Sequence, residues 1–474
     1  MKGKLWSLIT LFVVLSLILA SGCAPAKANP TDAPGETPVP TQAQTQDGAV
    51  QITILVGFGT GTDPSQIDLH NQIAQEFNST HSDIQITFVT VAYDDHDSKF
   101  STMLAGDMPP DIVMPIGVMG VATYYDEWLD IRPYIERDQY DTSDYYGPAL
   151  ELQTYPDKIV GLPIGVYPSV TFYNEDLFDA AGLEYPPHQF GAAGWTYDKV
   201  VEIGQKLTLD QNGKDATAED FDPDNIAQWG WDGWDWLPWR VVPAKFGGNP
   251  LGMSADFKQV DMNNAAWQEG MQFLSDTIWK WHIRPTGELS TAAFTDIDPL
   301  QSGQVAMWES FSWMAYNYET WTQAFNWNVA AIPAGPHGEI VAEANGDSFV
   351  IPKSSKNHDQ AWEVAKWLMQ PEIMARLSES YGCIPARKSL AEGWLEGMKA
   401  AYPKVDFQVF LDSIAYLDAQ PNHEGWVPNY KKVWDAMENA MSLVTSGSNT
   451  QVQQVLDQLD VEVQGYLDEY WAGK

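Results

Sequence analysis

Residues 51–56 read Gln-Ile-Thr-Ile-Leu-Val, residues 84–91 read Ile-Gln-Ile-Thr-Phe-Val-Thr-Val, and residues 111–114 read Asp-Ile-Val-Met. The first is a short apolar run rich in β-branched residues, as a buried strand requires. The second alternates apolar and polar residues, the pattern of a strand covered on one face. Between them, Pro64 to Asn78 places Ile67, Ile73, Ala74 and Phe77 at helical intervals, and Lys99 to Leu104 fits a short helix before the third strand. A strand–helix–strand–helix–strand order needs crossover connections. It therefore predicts a mostly parallel sheet covered by helices, an α/β fold.

Outward from this stretch the pattern recurs. After Gly161 come a strand at Val170–Tyr173, a helix at Asp176–Ala181 with Asn174 and Asp176 as N-cap candidates, and a helix at Thr196–Leu207. Gln304 to Met307 reads as another short strand, and from about Asp359 the chain is mostly helical. No repeat period of solenoid length is present. The body from about Ala49 to Lys474 is too long for one ordinary core, so two lobes are expected.

Upstream of the body the sequence gives an address. Lys2 and Lys4 precede a nearly unbroken apolar run from Leu5 to Leu19, followed by Ala20-Ser21-Gly22-Cys23. A positive head, a short apolar stretch and small residues make a secretory signal peptide. The run falls short of the about 20 apolar residues of a spanning helix. The four residues ending at Cys23 resemble the bacterial lipobox, with Ala20 in place of the usual leucine. That resemblance implies that Cys23 becomes an acylated N-terminus, and two or more acyl chains give stable anchoring on the outer face of the membrane. Ala24 to Gly48 is rich in Pro, Thr, Ala and Gln and has no aromatic residue, which predicts a disordered tether. With Cys23 lipidated, the only other cysteine, Cys383, has no disulfide partner and is expected as a small buried apolar residue.

A net charge of −38 excludes nucleic acid as a partner, because its phosphates would be repelled. The acidity is spread along the chain and reads as a well-solvated surface. There is no G-x-S-x-G, H-E-x-x-H or Walker sequence, and the eight histidines are scattered singly. Neither an enzyme nor a bound metal or cofactor is expected, and the protein is expected to be a monomer.

Several stretches, taken in order, carry a resemblance: Met108-Pro-Pro-Asp-Ile-Val113, Gly161-Leu-Pro-Ile-Gly-Val166, Thr171-Phe-Tyr-Asn-Glu-Asp-Leu-Phe178 with Ala181-Gly-Leu183, Gly303-Gln-Val-Ala-Met307 with Trp313, Phe349-Val-Ile-Pro-Lys353, and Ala361-Trp-Glu-Val-Ala-Lys-Trp-Leu368 with Gly382-Cys-Ile-Pro-Ala-Arg387. Together they resemble the extracellular solute-binding proteins of ABC importers, in the large family that includes maltose-binding protein. The resemblance implies a two-lobed, type II periplasmic-binding-protein-like fold, with hinge crossings near Gly165, Ala344 and Gly382. Residues 49–165 with 345–382 would form one lobe, and 166–344 with 383–474 the other. It also implies a ligand in the interlobe cleft and a membrane-embedded permease as partner.

The ligand is argued from aromatic residues. The chain has 21 Trp. A sugar presents C–H faces that pack on rings and hydroxyls that need amides and carboxylates. The segment Trp229-Gly-Trp-Asp-Gly-Trp-Asp-Trp-Leu-Pro-Trp239 has a spacing that fits neither helix nor strand. Either some of its rings line a concave surface, or Trp229 and Trp231 pack in the core and the rest cap a loop. By position it resembles a second-lobe binding loop, which makes Trp234, Asp235, Trp236 and Trp239 candidates. Thr60 and Thr62 sit in a Gly-rich loop after the first strand, and Asp95 and Asp97 in an acidic stretch before the second helix. Tyr167 follows the first crossing, Gly346 and Asp347 the second, and Arg387 the third, where its guanidinium can pair with the ligand or with an acidic neighbour. Glu309, Ser310 and Trp313 follow the strand at 304–307, with Trp313 aligned with a stacking ring of the family, and Trp434 lies on a C-terminal helix, where it either packs in the core or stacks on the ligand. A sugar is the expected ligand. A polyamine, which needs carboxylates within an aromatic box, is the alternative, with a peptide beside it; a glycan-active enzyme, the remaining alternative, needs two carboxylates flanking a bond, and the plentiful acidic residues single out no such pair.

Overall fold

The structure is a computed structural model that describes residues 48–233, 238–249, 251–287, 297–418, 425–446 and 451–474, with the backbone alone for residues 238–241. The lipobox at Cys23, the tether up to residue 47, and Trp234, Asp235 and Trp236 lie outside the described residues.

The chain opens as read. Strand β1 (Val50–Val56), helix α1 (Pro64–Thr80), strand β2 (Ile84–Thr90), helix α2 (His96–Ala105) and strand β3 (Ile112–Ile116) follow one another, with α3 (Val118–Thr123) directly after. β1 lies between β2 and β3 and is parallel to both, with Val50 opposite Ile84 and Ile54 opposite Ile112. Ile52, Ile54, Ile86, Ile112 and Met114 meet Ile73 and Phe77 of α1 in one apolar cluster. These are the residues that the periodicity assigns to the inner face.

Strand β4 (Gly161–Asn174) is longer than the four residues expected, and all of it is buried. Pro163, Gly165 and Pro168 hide its first half from a reading by propensity, since proline and glycine ordinarily weaken strands. Tertiary pairing overrides them. Asn174 ends the strand, and its side chain accepts from the backbone N–H groups of Asp176 and Leu177, capping the helix Glu175–Ala181.

Beyond it, Thr196 caps α4 (Tyr197–Leu207). Short strands β5 (Leu209–Asp210), β6 (Ile226–Gln228) and β7 (Asp232–Gly233) precede helices α5 (Pro238–Lys245) and α6 (Ala265–Trp279). Strand β8 spans Met307–Phe311, four residues later than expected at its C-terminal end, and is followed by β9 (Trp327–Ala330) and β10 (Ala344–Val350). Helix α7 (Pro371–Tyr381), the two-residue strand β11 (Ile384–Pro385), and helices α8 (Tyr430–Thr445) and α9 (Val452–Ala472) complete the helical last third.

The main sheet runs β2-β1-β3-β10-β4-β8-β7, with β9 and β11 also pairing β4. β4 serves two neighbourhoods. Gly161 to Pro168 pairs antiparallel with β10, and Ser169 to Asn174 pairs with β8 and β9. The fold is thus two-lobed α/β, with β4 pairing along two different parts of the sheet. The three expected crossings fall on β4, on the first residue of β10, and on Gly382, whose φ of 70° caps α7. A Cβ on Gly165 would lie 2.1 Å from the sulfur of Cys383, so only glycine admits this close approach. Cys383 is fully buried, and burial pushes its thiol up to about 12.

A second cluster gathers Tyr173, Trp195, Trp231 and Trp267 with Leu456 and Leu467 of α9, and a third gathers Leu55, Phe58, Phe100, Val113 and Tyr125. Trp128, Trp195, Trp229, Trp231, Trp267, Trp308, Trp321, Trp327 and Trp362 are all buried. Much of the tryptophan excess therefore serves packing, and the two first tryptophans of the 229–239 segment are core residues.

Candidate functional site

A cleft of about 830 Å³ opens beside β4 and β10. Its walls come from the loop after β1 (Phe58, Gly59, Thr60), Tyr93 and the start of α2 (His96, Asp97), Gly117 and the start of α3 (residues 118–120), Tyr167 on β4, Trp313 and Tyr316, residues 345–347 of β10, and the start of α8 (Tyr430, Lys431, Trp434).

The floor is polar. Asp347 is 4 % exposed, and its Oδ2 accepts from the Thr60 hydroxyl at 2.9 Å and from the Tyr167 hydroxyl at 3.0 Å. Burial, followed by the nearby Asp347 charge, holds the Tyr167 phenol well above its ordinary pKa, so it keeps its proton and donates. The other oxygen, Oδ1, lies 3.1 Å from where a Cβ of Gly59 would stand and 3.8 Å from one on Gly117. Glycine at these positions lets two backbone segments approach the carboxylate. Asn345 is opposite Tyr167 in the ladder. Strand geometry therefore sends Asn345, Asp347 and Tyr167 to one face of the sheet.

The walls are aromatic. Trp313 sits on a 3-10 turn, Ser312–Asn317, and its ring stacks on Phe311 with centroids 3.9 Å apart and planes 18° apart. Tyr167 meets Trp313 edge-on at 5.8 Å. Tyr316, one turn on, is 69 % exposed at the rim. Across the cleft, His96 packs edge-on against Phe58 at 4.5 Å and beside Tyr93 at 4.9 Å. Asp97 accepts from the Tyr124 hydroxyl at 2.7 Å and faces His96 Nε2 at 3.2 Å. On α8, Trp434 packs beside Tyr430 at 5.6 Å, and Lys431 pairs with Asp435 at 2.5 Å.

The structure brings Thr60, Asp97, Tyr167, Trp313, Gly346, Asp347 and Trp434 to this one cleft. Thr62 is half-buried a turn beyond the lining, and Asp95 is exposed just before α2. Three expectations are corrected. Glu309 is a strand residue whose carboxylate pairs with Lys245 at 2.7 Å and accepts from Tyr197 at 2.9 Å, in a site where both charged side chains are 1 % exposed. Its oxygens are committed to the interior of the molecule. Ser310, its neighbour on β8, is buried opposite Val170. Arg387 is a clamp away from the cleft: it bonds Asp144, the Tyr140 hydroxyl and the Met369 carbonyl, and lies over the Tyr145 ring at 4.5 Å. Trp239 is on α5, and its side chain lies outside the described residues.

Sequence reading missed Phe58, Tyr316, Tyr430 and Asn345. For Asn345 a signal existed: it alternates with Asp347 across Gly346, the period that puts two polar groups on one strand face. Among the described residues, no group of three or more His, Cys, Asp or Glu side chains is placed to hold a metal ion, and no helix is long and apolar enough to cross a membrane.

Comparison with known proteins agrees with this architecture. A putative binding protein of Brucella abortus is 22% identical over 409 residues, covering 84% of this chain and 89% of its own. The galactooligosaccharide-binding protein of Bacillus subtilis is 22% identical over 377 residues, covering 78% and 80%. Among solved structures, a cyclic alpha-maltosyl-1,6-maltose binding protein from Arthrobacter globiformis superposes with a TM-score of 0.70 at 20% identity, over 89% of this chain and 100% of that one. An ABC substrate-binding protein from Listeria monocytogenes in complex with cycloalternan gives 0.69 at 21% identity, over 89% and 99%. Residues 72–406, well over half of the chain, match the family profile described as bacterial extracellular solute-binding protein, and the protein belongs to that family.

Proposed function

We propose that this protein captures a sugar, a mono- or oligosaccharide, in the cleft and delivers it to a membrane-embedded ABC importer. The observation that carries the reading is the Trp313 ring, fixed by its stack on Phe311, beside a floor of hydrogen-bonding groups around Asp347. A flat apolar face next to a buried carboxylate matches the two kinds of surface that a pyranose presents. The sugar-binding relatives support it. The importer role follows the family, whose members bind and hand over solute without transforming it; this chain is accordingly read as a binding protein, with sugar recovered unchanged after incubation. The signal sequence, the acylated Cys23 and the tether complete the proposal, holding residues 49–474 at the outer face of the membrane, with the lobes dividing at the crossings named above.

Differential scanning fluorimetry against a panel of mono- and oligosaccharides, with polyamines and short peptides alongside, tests it. A ligand that binds only the folded state stabilises it by about 2.7 kcal/mol at a concentration of one hundred times Kd. The expected outcome is a rise in melting temperature with at least one sugar. A rise with a polyamine or a peptide and none with sugars would replace the sugar reading.

A further inference from the structure

Asn345 is 5 % exposed and lines the cleft, and its Nδ2 has no hydrogen-bond partner among the described residues. Buried polar groups are nearly always paired, and an orphaned donor costs free energy that a folded protein must offset elsewhere. The neighbours of Asn345 do not share its condition. Tyr167, opposite it in the ladder, and Thr60 both donate to Asp347. Left waiting on the face of β10 that forms the floor of the cleft is a neutral amide donor.

We infer that Asn345 is a specificity-determining ligand contact, whose Nδ2 donates to an uncharged oxygen of the ligand. The chemistry of an N–H donor sets the class of partner. It needs a lone pair, which a sugar hydroxyl supplies. A protonated polyamine carries only donors and would leave the amide unsatisfied while setting a charge against it. Asn345 thus selects a neutral polyhydroxylated solute over a cation of similar length. This rests on the sugar reading and adds the group that enforces it. The stacked Trp313 gives affinity to any flat apolar face, whereas a buried amide rejects ligands that lack the oxygen, because the rejected ligand leaves the donor unpaired.

The experiment uses the full body of the protein and the panel oligosaccharide that binds it, maltotriose and mannotriose being the first two probes. Asn345→Leu keeps the shape and removes the donor. The expected result is an affinity loss of tenfold or more by titration calorimetry, with the melting temperature of the ligand-free protein equal to or above the parent's, since an unpaired buried donor has been removed. A core role would do the reverse, lowering the melting temperature and sparing affinity, and would overturn the inference. As a second arm independent of folding, monodeoxy derivatives of the same oligosaccharide are titrated into both proteins. One derivative is expected to bind the parent at least tenfold more weakly and N345L no more weakly than the intact sugar does. If every deoxy derivative loses the same factor in both proteins, Asn345 contacts no hydroxyl and the inference falls while the sugar reading stands. If the parent binds neither probe nor any other sugar, the sugar reading itself falls and takes the inference with it.

Discussion

Trp313 is half-buried, stacked on Phe311 and turned to the cleft, so its truncation removes binding surface without emptying a core. Trp313→Ala is expected to weaken sugar binding by about 1–3 kcal/mol, the range for loss of an aromatic anchor. The ligand-free melting temperature should move little, whereas a buried Trp→Ala costs about 3–5 kcal/mol of stability. Paired calorimetry and thermal melting separate the two outcomes. At this scale the sequence was a partial guide. Thr60 was legible because it follows the end of β1, where ligands of α/β folds sit, and Tyr167 and Asp347 because the family resemblance sets crossings beside them. Glu309 was misread because adjacency to Trp313 does not reveal which way a strand residue points, and its partner Lys245 lies 64 residues away. Asn345 was missed because an amide beside a glycine looks like a turn until the strand pairing is known.

At the scale of elements, the telling case is the strand β8 and the helix α5 behind it. Lys245 and Glu309 form an ion pair with almost no solvent contact; Lys245 also donates to the Val341 carbonyl at 2.8 Å, and Tyr197 donates to the second carboxylate oxygen at 2.9 Å. Removing one partner from a buried pair leaves an uncompensated charge, which costs about 3–5 kcal/mol. Lys245→Met is therefore expected to lower stability by that amount in urea unfolding, with sugar affinity of the remaining folded protein unchanged. An affinity loss at full stability would return Glu309 to the ligand site. Element type was readable wherever one period dominated, as in β1, α1 and β2, and element length failed where it did not. The first eight residues of β4 carry two prolines and two glycines, and pairing with β10 and β11 makes them a strand.

At the scale of the whole molecule, the packing of Trp426 stands out. Its indole stacks on Tyr125 with centroids 4.3 Å apart and planes 16° apart, and meets Phe257 edge-on at 5.9 Å. Tyr125 belongs to the third apolar cluster, and Phe257 packs against the second, where Val427 also lies. One ring thus touches two cores, and the Lys158 ammonium, 3.9 Å from the Tyr125 ring centre, adds a cation–π contact to the same ring. A stacked aromatic pair is worth about 0.5–1.5 kcal/mol beyond its burial. If the lobes open and close about the expected crossings, Trp426→Ala should favour the open form and weaken apparent sugar affinity by roughly two- to tenfold, in proportion to the closed fraction it removes. Small-angle X-ray scattering should show a larger radius of gyration without sugar and a matching one with saturating sugar. An unchanged ligand-free radius would confine Trp426 to local packing. The two-lobed plan was legible from length and motif order, but no local pattern announces a ring that bridges two cores.

The place of β10 in the sheet has a further consequence, for the order in which the molecule comes together. β10 lies between β3 and β4, yet its residues 344–350 come some two hundred residues after β3. Until that segment emerges, β3 has an unpaired edge, β4 lacks its neighbour on that side, and neither lobe has a finished floor. Pairings this distant in sequence are slow to form, since long loops must close before the contacts reward them. A nascent chain of this topology therefore stays short of its native state until residues 344–350 have been made, however early β1 to β4 are finished.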